Sequence, residues 1–383
     1  MVITQKASST SSSNAALRFA LRCVLFFAPI AVALAFAVLS LWLSGELASP
    51  REVVDIQQVS PALYYPKYTP KSPYPAYKLE GASRRHPRVL VLGSSRGFSI
   101  RSEFAREPQA FYNAAMFGAD RVGVIRQFLE QLPPGSQPQV VILIVDPWWF
   151  RGGAEVRPEP GYFEPASRMQ IIDFAWRNGM SWGVRHGLSA RPADLIGINA
   201  QMQHSGLRPD GSFHAGKRWL DNPNDSEDHL KDLRNHAGPW FSPGPRQLST
   251  EAVAELKRFL AYSAAHRIQV IAYMSTFHPV IYAAIHRDPQ LNYYWHVAPV
   301  LAPVFRDAGA SFSELQDPAQ AGCSAAEYLD HLHESEVCTV RVLLDLSQSD
   351  PHIGEVFNLP RLRALLDNRA SSWQLGLQQP AQQ

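Results

Sequence analysis

Short apolar runs recur along the middle of the chain, and segments with helical spacing separate them. Five of the runs have the length and the β-branched content of buried strands, at residues 88–92, 110–113, 139–145, 268–274 and 310–312. A run that is apolar at successive positions is typical of a parallel strand that is covered on both faces. The pattern therefore predicts a core sheet whose strands are mostly parallel.

Amphipathic segments lie between these strands and after the last one. Apolar residues recur at helical spacing in residues 121–132, 248–266, 292–308 and 335–346. Strands that alternate with helices favour an α/β fold, with a doubly wound, mostly parallel sheet and helices on both faces.

One apolar segment is too long for a core strand or an ordinary core helix. Residues 23–43 form an unbroken run of 21, and a helix of that length, at about 1.5 Å per residue, crosses the roughly 30 Å hydrocarbon core of a bilayer. Lys6, Arg18 and Arg22 precede the run. The positive-inside rule then predicts a single-pass protein of a bacterial inner membrane, with residues 1–22 cytoplasmic and the bulk periplasmic. A cleaved signal peptide is the alternative, but its apolar core is usually only about 7–15 residues.

The remaining segments differ in composition from the core. Residues 44–85 are rich in Pro and Tyr and predict an extended stalk or a strap over the domain surface. We assign residues 86–350 to the α/β domain, with an insertion at about 153–244 that is rich in Gly, Pro, Asn, His and Trp. Residues 351–383 are expected to be a C-terminal extension.

Charge and cysteine content narrow the choice of partners. The formal net charge is only +2 and no basic stripe is present, so we expect no nucleic acid partner.

Cys323 and Cys338 would lie in an oxidising space. A disulfide and two unpaired buried thiols both remain open. Asp330, His331 and His333 have no further ligand at a recognisable spacing, and we expect neither a metal nor a cofactor.

The first core strand ends in the residues that carry the candidate chemistry. The strand stops at Gly93, and Ser94 and Ser95 follow at its carboxyl end, which is where sites lie in open α/β sheets. Serine is a weak nucleophile until a base takes its proton. An Asp-x-x-His, Asp330 to His333, precedes a predicted helix near the end of the domain. These three side chain types in this order suggest a Ser-His-Asp triad.

These motifs resemble those of the SGNH or GDSL-type hydrolases and acyltransferases. Gly93-Ser94-Ser95 stands where the family has Gly-Asp-Ser, so the resemblance makes Ser95 the nucleophile. Asp330 and His333 match the last motif. The segment FYNAAMFGAD matches the second, which implies that the backbone N–H of Gly118 and that of Ser95 form the oxyanion hole.

The third family motif is absent. An asparagine usually follows strand three and donates to the oxyanion, whereas this chain has Asp146. A carboxylate there would repel the oxyanion unless it points away, is protonated, or is offset by a cation, for which Arg96 is a candidate. We also treat four residues as candidate substrate contacts. They are Arg96 and Asp146, together with Ser275 and His278, which follow the 268–274 strand. A histidine that only braces its loop is the alternative for His278.

The single N-terminal anchor and the Pro-x-Trp-Phe-like end of strand three resemble one branch of this superfamily. Its members assist acyl transfer to cell-envelope polymers, as in teichoic-acid D-alanylation and alginate acetylation, beside a polytopic membrane O-acyltransferase. The resemblance implies an acyl donor and a polysaccharide acceptor as partners. We therefore expect a serine acyltransferase or esterase. A non-catalytic module that binds a glycan or scaffolds the membrane enzyme is the alternative.

Overall fold

A computed structural model describes residues 10–116, 121–153, 155–179, 194–216, 227–245 and 247–377. The strands are β1 (Leu63–Tyr64), β2 (Val89–Leu92), β3 (Phe111–Asn113), β4 (Val140–Ile144), β5 (Leu195–Ile196), β6 (Gly206–Leu207), β7 (Phe213–His214), β8 (Gln269–Met274) and β9 (Ser311–Glu314). The helices are α1 (Thr10–Leu43), α2 (Pro50–Val59), α3 (Tyr74–Arg85), α4 (Val122–Gln131), α5 (Arg168–Arg177), α6 (Ile198–Gln203), α7 (Glu227–Arg234), α8 (Gly238–Phe241), α9 (Thr250–Ala265), α10 (Pro279–Arg287), α11 (Tyr293–Asp307), α12 (Glu336–Ser349), α13 (His352–Val356) and α14 (Leu359–Asp367).

The core is a parallel sheet of the five predicted strands, in the order β3-β2-β4-β8-β9. Each strand begins one residue later than the sequence predicts. The expected α/β class with a parallel sheet is therefore confirmed. All five strands run the same way, so their carboxyl ends share one edge of the sheet.

Both faces of the sheet are covered, because alternate residues of each strand point to opposite sides. Val141 and Leu143 of β4 contribute to one cluster with residues of α4, α9 and α11. Ile142 and Ile144 belong to the other cluster, with residues of α12, α13 and α14. Helices α13 and α14 lie in the expected C-terminal extension, 351–383, yet they complete this second face. The short helices carry too few periodic positions to be recognised as part of the core from sequence.

The expected stalk, residues 44–85, is also corrected. It contains α2, α3 and β1, and its Val53, Leu63 and Tyr77 are fully buried. Strand β1 pairs parallel with β5 and antiparallel with β6 of the insertion, in a second sheet ordered β5-β1-β6-β7. Tyrosine rings suit such a place because the ring is buried while the hydroxyl finds a partner. Tyr77 Oη, for example, donates to Gln57 Oε1 over 2.7 Å.

Helix α1 is long and apolar enough to cross a membrane, with a mean hydropathy of 2.6 in an 18-residue stretch within Ala15–Leu43. Most of its described side chains are exposed, as the lipid-facing side of a span requires. Its last turns are different. Ala37 and Leu41 are buried in a cluster that includes Ala175 and partly buried Ile171 of α5. The helix is thus packed into the domain at its C-terminal end.

The turn after β2 depends on a glycine. Gly93 has φ +135°, and a Cβ there would lie 2.6 Å from the backbone oxygen of Ile144 in β4. The chain must therefore pass close to its neighbouring strand in a conformation that side chains rarely adopt. Ser94 and Ser95 follow this turn and lie at the carboxyl edge of the sheet.

We expect Gly93→Ala to destabilise the fold much more than Gly135→Ala. Both glycines have positive φ, but nothing lies within 4 Å of a Cβ at Gly135. The conformational penalty of about 1–2 kcal/mol applies to both. Gly93→Ala adds an overpacking cost of about 1–3 kcal/mol. Urea unfolding of the two variants in detergent measures the difference, and equal losses of stability would contradict the close approach to Ile144.

Candidate active site

The nucleophile loop is a short 3₁₀ turn, Ser95–Gly97, at the carboxyl end of β2. The side chain of buried Ser94 caps it by accepting a hydrogen bond from the Arg96 N–H over 3.3 Å. The backbone N–H of Phe98 closes the turn on the Ser95 carbonyl oxygen at 3.1 Å. Of the two adjacent serines, Ser94 therefore has its hydroxyl engaged in capping the turn, whereas Ser95 is a partly exposed residue.

The structure brings the three predicted triad residues together. Ser95 Oγ lies 2.8 Å from His333 Nε2, and His333 Nδ1 lies 2.7 Å from Asp330 Oδ2. The imidazole also stacks on the ring of Phe98, with centroids 5.1 Å apart. A carboxylate at Nδ1 favours the tautomer that has its proton there, which leaves Nε2 free to accept the serine proton.

Asp330 is held in place and kept ionised. Its Oδ1 accepts the backbone N–H groups of Leu332 and His333, each over 2.8 Å. Burial raises the pKa of Asp330, but the nearby His333 and these hydrogen bonds outweigh it and bring the pKa to about 2. The carboxylate is therefore charged at neutral pH and can stabilise a positively charged His333 during a proton transfer.

Buried Glu334, next to His333, joins the base loop to the sheet. Its carboxylate accepts hydrogen bonds from the Ser275 hydroxyl and from the backbone N and Oγ1 of Thr276, the latter two over 2.9 and 2.6 Å. Ser275 and Thr276 follow β8 directly. In addition, Ser99 Oγ of the nucleophile segment donates to the Glu334 carbonyl over 2.8 Å. These bonds set the position of His333 relative to Ser95.

A disulfide brackets the same loop. The sulfur atoms of Cys323 and Cys338 are 2.12 Å apart, and the enclosed residues include Asp330 and His333. Cys338 lies in the first turn of α12, so the bridge ties the base loop to a helix that covers the sheet. In the chain-entropy account, closing a loop of this size stabilises the folded protein by about 3 kcal/mol, because it reduces the conformational entropy of the unfolded chain.

Asp146, at the carboxyl end of β4, is offset by a cation. Arg96 Nη1 is 3.2 Å from Asp146 Oδ1, and both side chains are almost fully buried. The Arg96 Nη2 group donates to the carbonyl oxygens of Ser275 and Thr276 over 2.7 and 2.6 Å. Its guanidinium lies 4.3 Å from the centroid of the Phe277 ring. Burial raises the pKa of Asp146 to about 6 despite the attraction of Arg96, so the pair is predominantly ionic at neutral pH.

The four candidate substrate contacts brace the site. Arg96 and Asp146 are buried against each other, and Ser275 is fully buried with its hydroxyl on Glu334. His278 is also buried. Its Nδ1 accepts the N–H of Val280 at 3.2 Å and caps α10, and burial chiefly lowers its pKa to about 4. These four side chains are buried and hold one another or their own loops in place, and their contact with a substrate stays a prediction. Gly118, the other expected oxyanion donor, lies outside the described residues.

His229, on α7 of the insertion, is a site residue that the sequence did not reveal. Its Nδ1 lies 4.0 Å from Asp330 Oδ1, and its ring lies 6.4 Å from that of His333 and edge-on to Trp240 at 5.2 Å. Burial lowers the pKa of His229, and the attraction of Asp330 acts against this shift. No local pattern could identify this residue, since only the return of the insertion across the sheet edge brings it to Asp330.

Among the described residues, no three His, Cys, Asp or Glu side chains are placed to hold a metal ion. Comparison with protein-family models, with curated proteins and with solved structures finds no match to this chain. The chemistry of the site is therefore interpreted from its own geometry.

We expect the Arg96–Asp146 pair to behave as one unit. Arg96→Met leaves a buried carboxylate without its counter-charge, which costs about 3–5 kcal/mol of stability. Arg96→Met combined with Asp146→Asn should cost clearly less than the two single changes added together. Urea unfolding of the three variants at pH 7 completes the double-mutant cycle, and additive losses would show that the two charges do not interact.

Asp330→Asn should lower stability in a pH-dependent way. The folded-state pKa of Asp330, about 2, is below its ordinary value of 3.8, so its ionised form stabilises the folded protein above pH 4 by about 2 kcal/mol. That contribution disappears as the pH falls from 4 towards 2. The measurement is the difference in unfolding free energy between wild type and variant across this range. The same change at exposed Asp307 is the control, and a penalty for Asp330→Asn that does not vary with pH would contradict the assignment.

Proposed function

We propose that this chain is an SGNH-like serine acyltransferase or esterase that acts on O-acyl groups of an extracytoplasmic polysaccharide. The observation that carries the proposal is the chain of two hydrogen bonds, 2.8 Å from Ser95 Oγ to His333 Nε2 and 2.7 Å from His333 Nδ1 to Asp330. This arrangement of alcohol, imidazole and carboxylate activates a serine for covalent catalysis.

The proposed reaction has two halves. In the first, Ser95 Oγ attacks the acyl carbonyl while His333 Nε2 takes its proton, and the Ser95 N–H stabilises the oxyanion. When the tetrahedral intermediate collapses, His333 returns the proton to the leaving oxygen and the acyl group stays on Ser95. In the second half, His333 deprotonates the acceptor hydroxyl, which attacks the acyl-serine, and the proton passes back to Ser95.

The strand order supports an SGNH-like, doubly wound fold. Numbered along the core sheet alone, β3-β2-β4-β8-β9 is second-first-third-fourth-fifth. Flavodoxin-like sheets have this order, and they bind ligands off the carboxyl end of the first strand, where the winding reverses. Ser95 lies three residues after the end of β2, the first of the five, so the proposed nucleophile is near the position where such sheets carry their sites.

Two features favour transfer to a sugar hydroxyl over hydrolysis. Helix α1 is suited to hold the domain at a membrane, with residues 1–22 cytoplasmic, the rest periplasmic, and an acyl donor supplied by a polytopic O-acyltransferase. His229 lies beside His333 and is itself packed against Trp240, and the His333 side chain is only 14% exposed. A covered base has less access to bulk water, which would otherwise compete with the acceptor.

A non-catalytic module is the second candidate. Asp146 favours it, because a carboxylate takes the place of an oxyanion donor and the Arg96 guanidinium is occupied by Asp146 and two carbonyl oxygens. In that case the domain would bind a glycan or hold a membrane O-acyltransferase, and the triad geometry would be a remnant.

A fluorophosphonate probe should label the full chain in detergent, since an activated serine attacks phosphorus as it attacks a carbonyl. Ser95→Ala should abolish labelling, and His333→Ala should reduce it about 10³-fold or more. Ser349→Ala, at the exposed end of α12, is the matched serine control and should label like wild type. Gel fluorescence or intact mass measures the adduct.

The absence of labelling in folded protein would overturn the enzyme proposal and favour the scaffold. If labelling occurs, an aryl ester separates the remaining alternatives. Rapid turnover without a sugar acceptor would indicate an esterase. Turnover that depends on added polysaccharide is the outcome expected for a transferase.

A further inference from the structure

The junction between α1 and the domain is a packed contact. The apolar run 23–43 is 21 residues long, which is about one bilayer thickness as a helix. Leu41 lies in the last turn of that run and is fully buried against a cluster that contains Ala175 of α5. Helix α5 must therefore lie where α1 leaves the hydrocarbon core, if α1 spans a membrane.

Helix α5 has the composition of a helix that lies in a membrane interface. Met169 and Trp176 are seven residues apart, or about two turns, so they share one side of the helix, and they are 73% and 62% exposed. Ala175 and Ile171 contribute to the contact with α1. Arg168 and Arg177 stand at the ends. Tryptophan and arginine around an exposed apolar side are typical of helices at the boundary between headgroups and acyl chains.

Helix α2 contacts the N-terminal end of α5, next to the end of α1. Arg168 Nη2 is 2.6 Å from Glu52 Oε1, and Arg168 Nε donates to the Leu47 carbonyl over 3.2 Å. Between α2 and the end of α1 is a cleft of about 390 Å³ that is lined by Trp42 and Ile56 among others. Trp42 is 62% exposed.

The distribution of exposed apolar side chains singles out this region. Outside α1, the large apolar side chains that are more than half exposed in the described part of the chain are Val59, Met169 and Trp176. All three belong to α2 or α5, the two helices held at the exit of α1. Scattered exposed apolar residues need no explanation, but three that all lie on the two helices next to the candidate membrane span indicate an interaction surface.

We propose that Trp42, Ile56, Val59, Met169 and Trp176 form a membrane collar that rests in the interface of the lipid bilayer around α1. Lipid is the occupant because Leu41, near the end of the candidate span, packs in one cluster with Ala175 of α5, the helix that carries Met169 and Trp176. The collar holds the domain directly on the membrane at a fixed height. The proposal depends on α1 crossing a membrane and does not depend on the chemistry at Ser95.

The test uses the full chain, reconstituted in vesicles of phosphatidylcholine and phosphatidylglycerol. In a Cys23→Ser background the Cys323–Cys338 disulfide leaves no other described cysteine to react. Val59→Cys, Met169→Cys and Trp176→Cys are labelled singly with an environment-sensitive dye. Asp307→Cys, on the exposed end of α11, is the control. Quenching by nitroxide-labelled lipid and by aqueous iodide is then measured.

We expect nitroxide lipid to quench the dye at positions 59, 169 and 176 several-fold more than at 307, and iodide to show the opposite order. Equal quenching of all four positions by iodide would overturn the membrane collar. Position 59 alone behaving like 307 would also overturn it, because α2 would then lie clear of the lipid. No substrate is involved, so failure here is distinguishable from failure of the serine chemistry.

Discussion

The site depends on one buried carboxylate, that of Glu334. Ser95 and His333 are 238 residues apart in sequence, and a single hydrogen bond, worth about 0.5–1.5 kcal/mol net, cannot by itself hold two loops in register. Glu334 provides the connection because its carboxylate accepts three hydrogen bonds from Ser275 and Thr276, directly after β8. Strand β8 pairs with β4, and β4 pairs with β2, which ends at the nucleophile loop. The distance between alcohol and base is thus set by the sheet.

The same edge of the sheet concentrates negative charge, and Arg96 makes that arrangement tolerable. Asp146 is in direct contact with its guanidinium, and the positive charge of Arg96 also acts against the burial-raised pKa of Glu334. Two buried carboxylates without a cation would be protonated or would unfold the edge. Because Arg96 follows Ser95 directly, the cation is fixed to the nucleophile loop. Asp146 and Arg96 are therefore best understood as one buried ion pair that neutralises this edge of the sheet.

A feature of the fold or of the candidate site could be predicted from the sequence only where a short stretch of residues is enough to determine it. The five core strands start within one residue of their predicted positions, because a strand buried on both faces is apolar at successive residues whatever packs on it. Ser95, Asp330 and His333 were identifiable from order and context, since Ser95 follows the first core strand and the Asp-x-x-His lies between the last core strand and a helix. The folded state of residues 44–85, the packing of α13 and α14, and the contact of His229 with Asp330 were not predictable. Each of these results from a partner distant in sequence, and a short window that is rich in Pro, Tyr or polar residues carries no sign of that partner.

The core sheet and the insertion contribute different parts of this structure. The parallel sheet provides the nucleophile, the base and the charges that support them. The insertion provides α5, which packs on the end of α1, and α7, which brings His229 to Asp330. Segments that connect strands can vary in length and sequence without disturbing the core, so they are where a fold acquires new contacts. The same insertion therefore contacts both α1 and Asp330, two parts of the protein that are far apart in sequence. Because both contacts are made by segments outside the core sheet, the sheet can keep its order and register while the surroundings of Asp330 and of α1 change together.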